Sequence, residues 1–333
     1  MKFLLVAAAA ALAIPACHAA TAEELRMGMA VPEQTPWGAA TRKFAEDVAA
    51  RTKGELTVNI YYNNELGDEQ TMARQLARGR LDMAELSNVA ASLLVPEYGL
   101  LQAPYVFDTP AQADCVTDSG LAAIFGDLFQ ASGTVYLAPV EIGRMTIMSK
   151  SAILSPDDLE DVKIRTSPTQ SDTYFIRAAG GAAVPLGTVD SMPALKTGQV
   201  SAVTTPIVVG VAGGYAAAAP QITRTNHGQQ IGALLISAKR WQTLSDEHRQ
   251  ALAESARLMA DLRPMLRQTE EAMLDKVRAS GGTVHDLSPD ELVAWQRFAP
   301  SVRDQLIAET GGLAAEKWAA IEAAKSACKV TGG

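Results

Sequence analysis

The sequence predicts an α/β fold in two lobes, and three observations carry that expectation. Strand-like and helix-like patterns alternate from residue 25 onward, the alternation begins again after residue 135 with different contents, and a helical pattern of more than 30 residues starts at Ser245. A helix between two strands returns the chain to the same end of the sheet, so successive strands run mainly parallel. A helix of that length is able to cross from one lobe to the other.

The first lobe opens with the strand LRMGMAV (25–31). The segment 36–54 is an amphipathic helix, with Trp37, Phe44 and Val48 on its inner stripe and Gly54 at its end. ELTVNIYY (55–62) alternates with period two, GDEQTMARQLARG (67–79) is a helix closed by Gly79, and LDMAEL (81–86) is a strand. The second round starts at VYLAPVEIGRMTIMSK (135–150), read as two strands or one long bent one. A helical turn begun by Ser155-Pro156 follows, then the strand VKIRTS (162–167). After it come a helix (169–180), a strand (182–186), a helix (190–199) opened by Asp190, and the strand VSAVTTP (200–206). The long helix has Ser245 as a plain N-cap, Pro264 as an expected kink and Gly281-Gly282 as its stop.

The 333 residues, 48% hydrophobic and 20% charged, are enough for two cores. A net charge of -8 without any basic block argues against a nucleic-acid partner. Lys2 followed by FLLVAAAAALAIPA and small residues reads as a secretory signal peptide over residues 1–20, cleaved near Ala19 or Ala20, which places the mature protein in the periplasm. Cys17 lies just after the apolar run, where a lipid attachment site would stand, but Pro15 is a poor residue for one. Cys115 and Cys328 then remain in an oxidising compartment, either as a disulfide or as two buried thiols.

No G-x-S-x-G, H-E-x-x-H, Walker loop or cysteine pair at metal spacing is present, and the three histidines after the leader, His227, His248 and His285, are scattered. The expectation is a non-enzyme without cofactor or metal. Arg165, at the end of a buried strand, demands an anion: a planar guanidinium binds a carboxylate by two parallel hydrogen bonds. That anion is either a nearby carboxylate (Asp157, Asp158, Glu160, Asp161) or a ligand.

Residues 28–87 resemble the opening of the TRAP transporter solute receptors, the DctP-type periplasmic binding proteins. The ordered set Leu66-Gly67-Asp68-Glu69, Pro104-Tyr105-Val106-Phe107, Asp158-Leu159 and Lys163-Ile164-Arg165 extends the likeness over nearly the whole mature chain. The resemblance implies a two-lobed clamshell with a small organic anion in the cleft, handed to the TRAP permease subunits of the inner membrane by a receptor expected to be a monomer. It implies that Arg165 pairs with the ligand carboxylate and that Arg144 lines the cleft. Three positions depart from the family pattern: Thr205 stands where asparagine is usual, Met192 where tyrosine is frequent, and Thr35 where histidine is frequent. Trp37 is expected as a cleft wall; Glu69, Ser87 and Asn88 fall at a helix start and a strand end, where α/β sheets place ligands. His227 reads as a satisfied buried histidine. The lobes are expected as 21–143 with about 233–272, and 144–232 with about 273–333. The alternative role is an exported ligand sensor of the same fold without a transporter.

Overall fold

A computed structural model describes residues 22–329, so the leader and Cys17 lie outside the described residues. Strand β1 (Glu23–Gly28), helix α1 (Pro36–Arg51), β2 (Leu56–Tyr61), α2 (Glu69–Ala77) and β3 (Met83–Leu86) follow in the order the periodicity predicts. β1 lies between β2 and β3 and is parallel to both. Local chemistry sets the helix starts. The Thr35 hydroxyl accepts from Gly38 N at 3.2 Å with Pro36 in the first turn, and Asp68 accepts from Thr71 N at 2.8 Å. Such caps are worth about 1 kcal/mol each.

Residues 88–131, for which no element is expected above, contain α3 (Asn88–Leu94), a 3₁₀ segment over Pro96–Gln102, α4 (Pro110–Ser119) and α5 (Leu121–Ala131). Tyr98 binds this layer together. Its ring meets Phe125 and Phe129 edge-on at 5.1 and 5.2 Å, and its hydroxyl donates to Gly232 O at 2.8 Å.

The segment 135–150 proves to be part of one strand, β4 (Thr134–Ser149), and not two. Beyond it come β5 (Lys163–Thr166), α6 (Gln170–Ala178), β6 (Ala182–Pro185), α7 (Thr188–Thr197) and β7 (Ala202–Pro206). The short helices α8 (Ile207–Ala212) and α9 (Tyr215–Ala218) lead to β8 (Gln221–Thr223) and β9 (Gln229–Ser237). The strand order is β2-β1-β3-β9-β4-β7-β5-β6, with β8 also on β4. β4 is the bridge: it pairs antiparallel with β9 from Thr134 to Arg144, then with β7 from Met145 to Ser149. It is irregular at Tyr136/Ala138 and Glu141/Gly143, and such bulges bend a strand.

α10 (Ala238–Thr243) leads into α11 (Asp246–Ala256) and α12 (Leu262–Ala279), joined by a 3₁₀ stretch over Arg257–Asp261. The predicted long helix is therefore interrupted just ahead of Pro264. The proline has no N–H, and its ring crowds the carbonyl of Ala260 four residues back, so the strain falls on the preceding turn. The run does cross the molecule: Leu252, Met259, Leu262 and Leu266 join the core around β1 and α1, whereas Leu274 and Val277 join that around β7 and α9.

β10 (Thr283–His285), α13 (Pro289–Gln296), α14 (Ala299–Thr310) and α15 (Ala314–Lys329) complete the chain. α15 packs against α4 and α5, and Cys328 is disulfide-bonded to Cys115 of α4 across a sequence separation of 213 residues. Closing so long a loop removes much of the unfolded chain's freedom. The double variant Cys115→Ser/Cys328→Ser is expected to lose about 2 to 4 kcal/mol in denaturant titration. Two free thiols titrating in freshly exported wild-type protein would refute the bridge.

Candidate ligand-binding site

β5 reads Lys-Ile-Arg-Thr, and only Lys163 reaches solvent. Arg165 lies between Val184 of β6 and Val203 of β7 and is 5% exposed. Its Nε donates to Leu186 O at 2.9 Å and its Nη1 to Thr204 O at 3.1 Å. A guanidinium has five N–H donors, so two carbonyls leave it under-satisfied. Among the described residues no carboxylate lies within salt-bridge distance of it. Of the acids nearby in sequence, Asp157 faces Arg297 at 3.7 Å, and Asp158 accepts from Ser155 N at 2.8 Å. Burial lowers the Arg165 pKa, opposed by the charge of Asp172.

Asp172, fully buried at the start of α6, anchors the turn that follows β5. It accepts from Ser167 N at 2.7 Å, from Ser167 Oγ at 3.1 Å and from the Thr204 hydroxyl, and it faces His227 Nε2 at 3.3 Å. Burial alone would raise its pKa; the bonds from His227, Thr204 and Ser167 outweigh this and hold it below the usual range. An ionised carboxylate only accepts, so His227 Nε2 carries the proton of that bond. The imidazole stacks on Phe175 at 4.7 Å.

Arg165 opens on a cleft of about 450 Å³. Ser167, Thr204 and Thr205 line it on the Arg165 side; Trp37, Glu69, Glu85 and Ser87 line it from the side of β3. The indole of Trp37 is fixed by its Nε1, which donates to Glu141 O at 2.7 Å. The Glu69 carboxyl receives Ser87 N at 2.6 Å and Ser87 Oγ at 2.9 Å, tying the start of α2 to the carboxyl end of β3. Burial raises the Glu69 pKa against those two bonds. The Glu85 carboxyl accepts from Thr41 Oγ1 at 2.5 Å, and burial with the neighbouring Glu69 pushes its pKa up to about 8. Glu85 is absent from the residues expected in the site. An acid within the apolar strand Met83–Leu86 was the signal available for it.

A cleft between two α/β halves, entered at strand ends and joined by crossing strands, is the architecture of a solute receptor. Residues 27–310 match the model of the DctP family, the bacterial extracellular solute-binding proteins of family 7. The chain belongs to this family. Among its DctP relatives, the ectoine-binding periplasmic protein TeaA of Halomonas elongata is 27% identical over 265 residues, 77% of this chain and 76% of that one. The C4-dicarboxylate-binding periplasmic protein DctP of Rhodobacter capsulatus is 24% identical over 303 residues, 90% of each chain. The fold is shared with a TRAP periplasmic solute-binding protein of Chromohalobacter salexigens solved with bound D-glucuronate, at a TM-score of 0.83 and 24% identity, covering 91% of this chain and 99% of that one. The chain is thus a solute receptor of the TRAP transporter type with the two-lobed fold expected of it. DctP-family proteins are periplasmic receptors of small organic acids.

Three residues expected in the cleft of this DctP receptor lie elsewhere. Arg144 follows the irregularity at Glu141/Gly143; its neighbour Met145 faces the cleft, so Arg144 is turned to the opposite side of β4, 3.9 Å from Glu270. Asn88 is 1% exposed at the start of α3 and donates to Tyr98 O at 3.4 Å. Met192 packs in the core beside α9, next to Gly214. Arg144 instead lines a smaller cavity of about 260 Å³ with Arg224, Tyr105 and Phe107. There the charges are balanced within the protein, with Arg224 at 3.1 Å from Glu271 and 3.2 Å from Asp286. The cleft at Arg165 has no such internal balance.

Proposed function

We propose that this receptor binds a small organic anion through one carboxylate at Arg165, with Thr205 and Ser167 beside it, and delivers that ligand to the membrane subunits of a TRAP permease. The supporting observation is the buried Arg165 guanidinium, held by two carbonyls and lining the cleft without a carboxylate partner among the described residues. A relative that binds C4-dicarboxylates and a neighbour that holds D-glucuronate support a carboxylate as the recognised group. In this reading the chain is exported by cleavage near Ala19 or Ala20, works as a monomer, and catalyses no reaction.

The lobes we propose are the expected 21–143 with about 233–272, and 144–232 with about 273–333, except that the last helix, α15, packs on α4 and α5 and is assigned to the first; the hinge lies where β4 passes from β9 to β7 at Arg144–Met145. A ligand touching both walls favours the closed form, because only closure gives it the second set of contacts. A thermal-shift screen against organic acids is expected to raise the melting temperature with at least one carboxylate and with no neutral sugar. With that ligand, small-angle scattering is expected to show a smaller radius of gyration. Stabilisation by neutral sugars alone would refute the carboxylate reading, and an unchanged radius at saturation would refute the closure.

A further inference from the structure

The charge count of the cleft points to the chemistry at the far end of the ligand. The charged residues lining it are Arg165, Asp68, Glu69 and Glu85: one guanidinium against three carboxyl groups. Asp68 is exposed and occupied as the α2 cap, and both oxygens of Glu69 receive bonds from Ser87. Glu85 differs from both. It is 6% exposed, its Oε2 accepts only from Thr41, and its Oε1 meets no donor among the described residues. Among the described residues no lysine, arginine or histidine lies within salt-bridge distance of it, and the indole of Trp37 lines the same cleft.

The surroundings of Glu85 can be taken element by element. α1 contributes the Thr41 hydroxyl, α2 contributes Glu69 and Asp68, and the end of β2 contributes Tyr62, whose phenol is pushed up by burial and by acids that include Glu85. Neutral Gln230 of β9 also lines the cleft, and among the described residues the one cation lining it is Arg165. β3 and β5 belong to opposite halves of the strand order, so Arg165 and Glu85 stand on opposing walls. A dianion would bring its second negative charge to a wall of carboxyl groups. A cation there meets an acceptor lacking a donor, and an aromatic face suited to cations.

Resting on the reading of Arg165 as the carboxylate clamp, we propose that the ligand is a zwitterion whose cationic nitrogen is received by Glu85, with Glu69 and Trp37 beside it. In the unliganded cleft burial keeps a proton on Glu85, whose pKa is about 8. Binding a cation expels that proton. Affinity for a zwitterion therefore rises with pH, by about tenfold between pH 7 and pH 9, because the ionised fraction grows by that factor across a pKa near 8. A ligand that needed protonated Glu85 as a donor would show the opposite slope.

The test is calorimetry on the mature protein with γ-butyrobetaine and 4-guanidinobutyrate as zwitterions, and gluconate and succinate as carboxylates without the cation. The expected result is tighter binding of a zwitterion, strengthening from pH 7 to pH 9 with proton release at pH 7. In Glu85→Gln, which keeps the shape and the contact with Thr41, binding should fall at least about thirtyfold and lose its pH slope. Circular dichroism and the melting temperature of the variant serve as folding controls. Tighter binding of gluconate or succinate, a flat or falling pH profile, or an unaffected Glu85→Gln variant overturns the zwitterion and leaves the Arg165 clamp standing. If none of the four binds, or if Arg165→Met binds like the wild type, the clamp falls and the inference with it.

Discussion

Replacing Arg165 with methionine is expected to abolish ligand binding while leaving the fold intact. The guanidinium is buried, its two bonds to Leu186 O and Thr204 O are single contacts to carbonyls, and no protein carboxylate depends on it. Methionine fills a similar apolar volume and removes a buried charge, so the folded state loses little. The ligand carboxylate loses its partner in a desolvated cleft, which typically costs on the order of 2 to 5 kcal/mol, or roughly a thirtyfold to several-thousandfold loss of affinity. Arg165→Lys keeps the charge but not the planar fork and should fall between the two. Calorimetry of both variants, with circular dichroism as control, decides the matter. Normal binding by Arg165→Met, or its failure to fold, would make the arginine structural.

Why the place of Arg165 on the cleft was legible and that of Glu85 was not is a matter of what each residue does to its local pattern. Lys163-Ile164-Arg165 ends a strand at the carboxyl edge of a parallel sheet, a place where both the topology and the family motif mark a ligand. Glu85 sits inside a four-residue strand whose residues are all buried, so period two could not say which face it occupies. Arg144 failed for a different reason: strand alternation holds only until a bulge, and the irregularity at Glu141/Gly143 depends on pairing with β9, nearly ninety residues away along the chain. Asn88 and Met192 follow from tertiary packing on the Tyr98 carbonyl and on Gly214. The elements themselves were easier. The cap Ser245 and the breaker Pro264 act within a few residues of where they stand, so the start of the long helix was read in place, and the kink expected at Pro264 lies just past the 3₁₀ stretch that divides the run. The helices over 88–131 were not, although in Leu121–Ala131 the buried Leu121, Ile124, Phe125 and Phe129 recur at helical spacing opposite the exposed Ala123, Asp127 and Gln130, so the period was present there and was missed.

Asp172 should matter more for stability than any residue lining the cleft. Substituting alanine strands the Ser167 amide, the Thr204 hydroxyl and His227 Nε2 in a buried site, and breaking such an arrangement typically costs about 3 to 5 kcal/mol. The loss should also reach the ligand. The Thr204 hydroxyl donates to Asp172 and its carbonyl accepts from Arg165 Nη1, so freeing the first loosens the hold on the second. The sign of the pH dependence follows from the direction of the shift. The folded pKa of Asp172 lies below its ordinary value of 3.8, so its stabilising charge is fully present above that value and is lost as pH falls through the lower, folded pKa. Urea titrations are therefore expected to show Asp172→Ala well below the wild type at pH 7, with the gap narrowing only as the pH falls below about 4. Asp172→Asn, which keeps one acceptor oxygen and the shape, should lose less at pH 7 and bind ligand better than the alanine variant. A midpoint for Asp172→Ala equal to that of the wild type at pH 7 would mean that the carboxylate is dispensable to the strand end, and that Arg165 is positioned by its backbone neighbours alone.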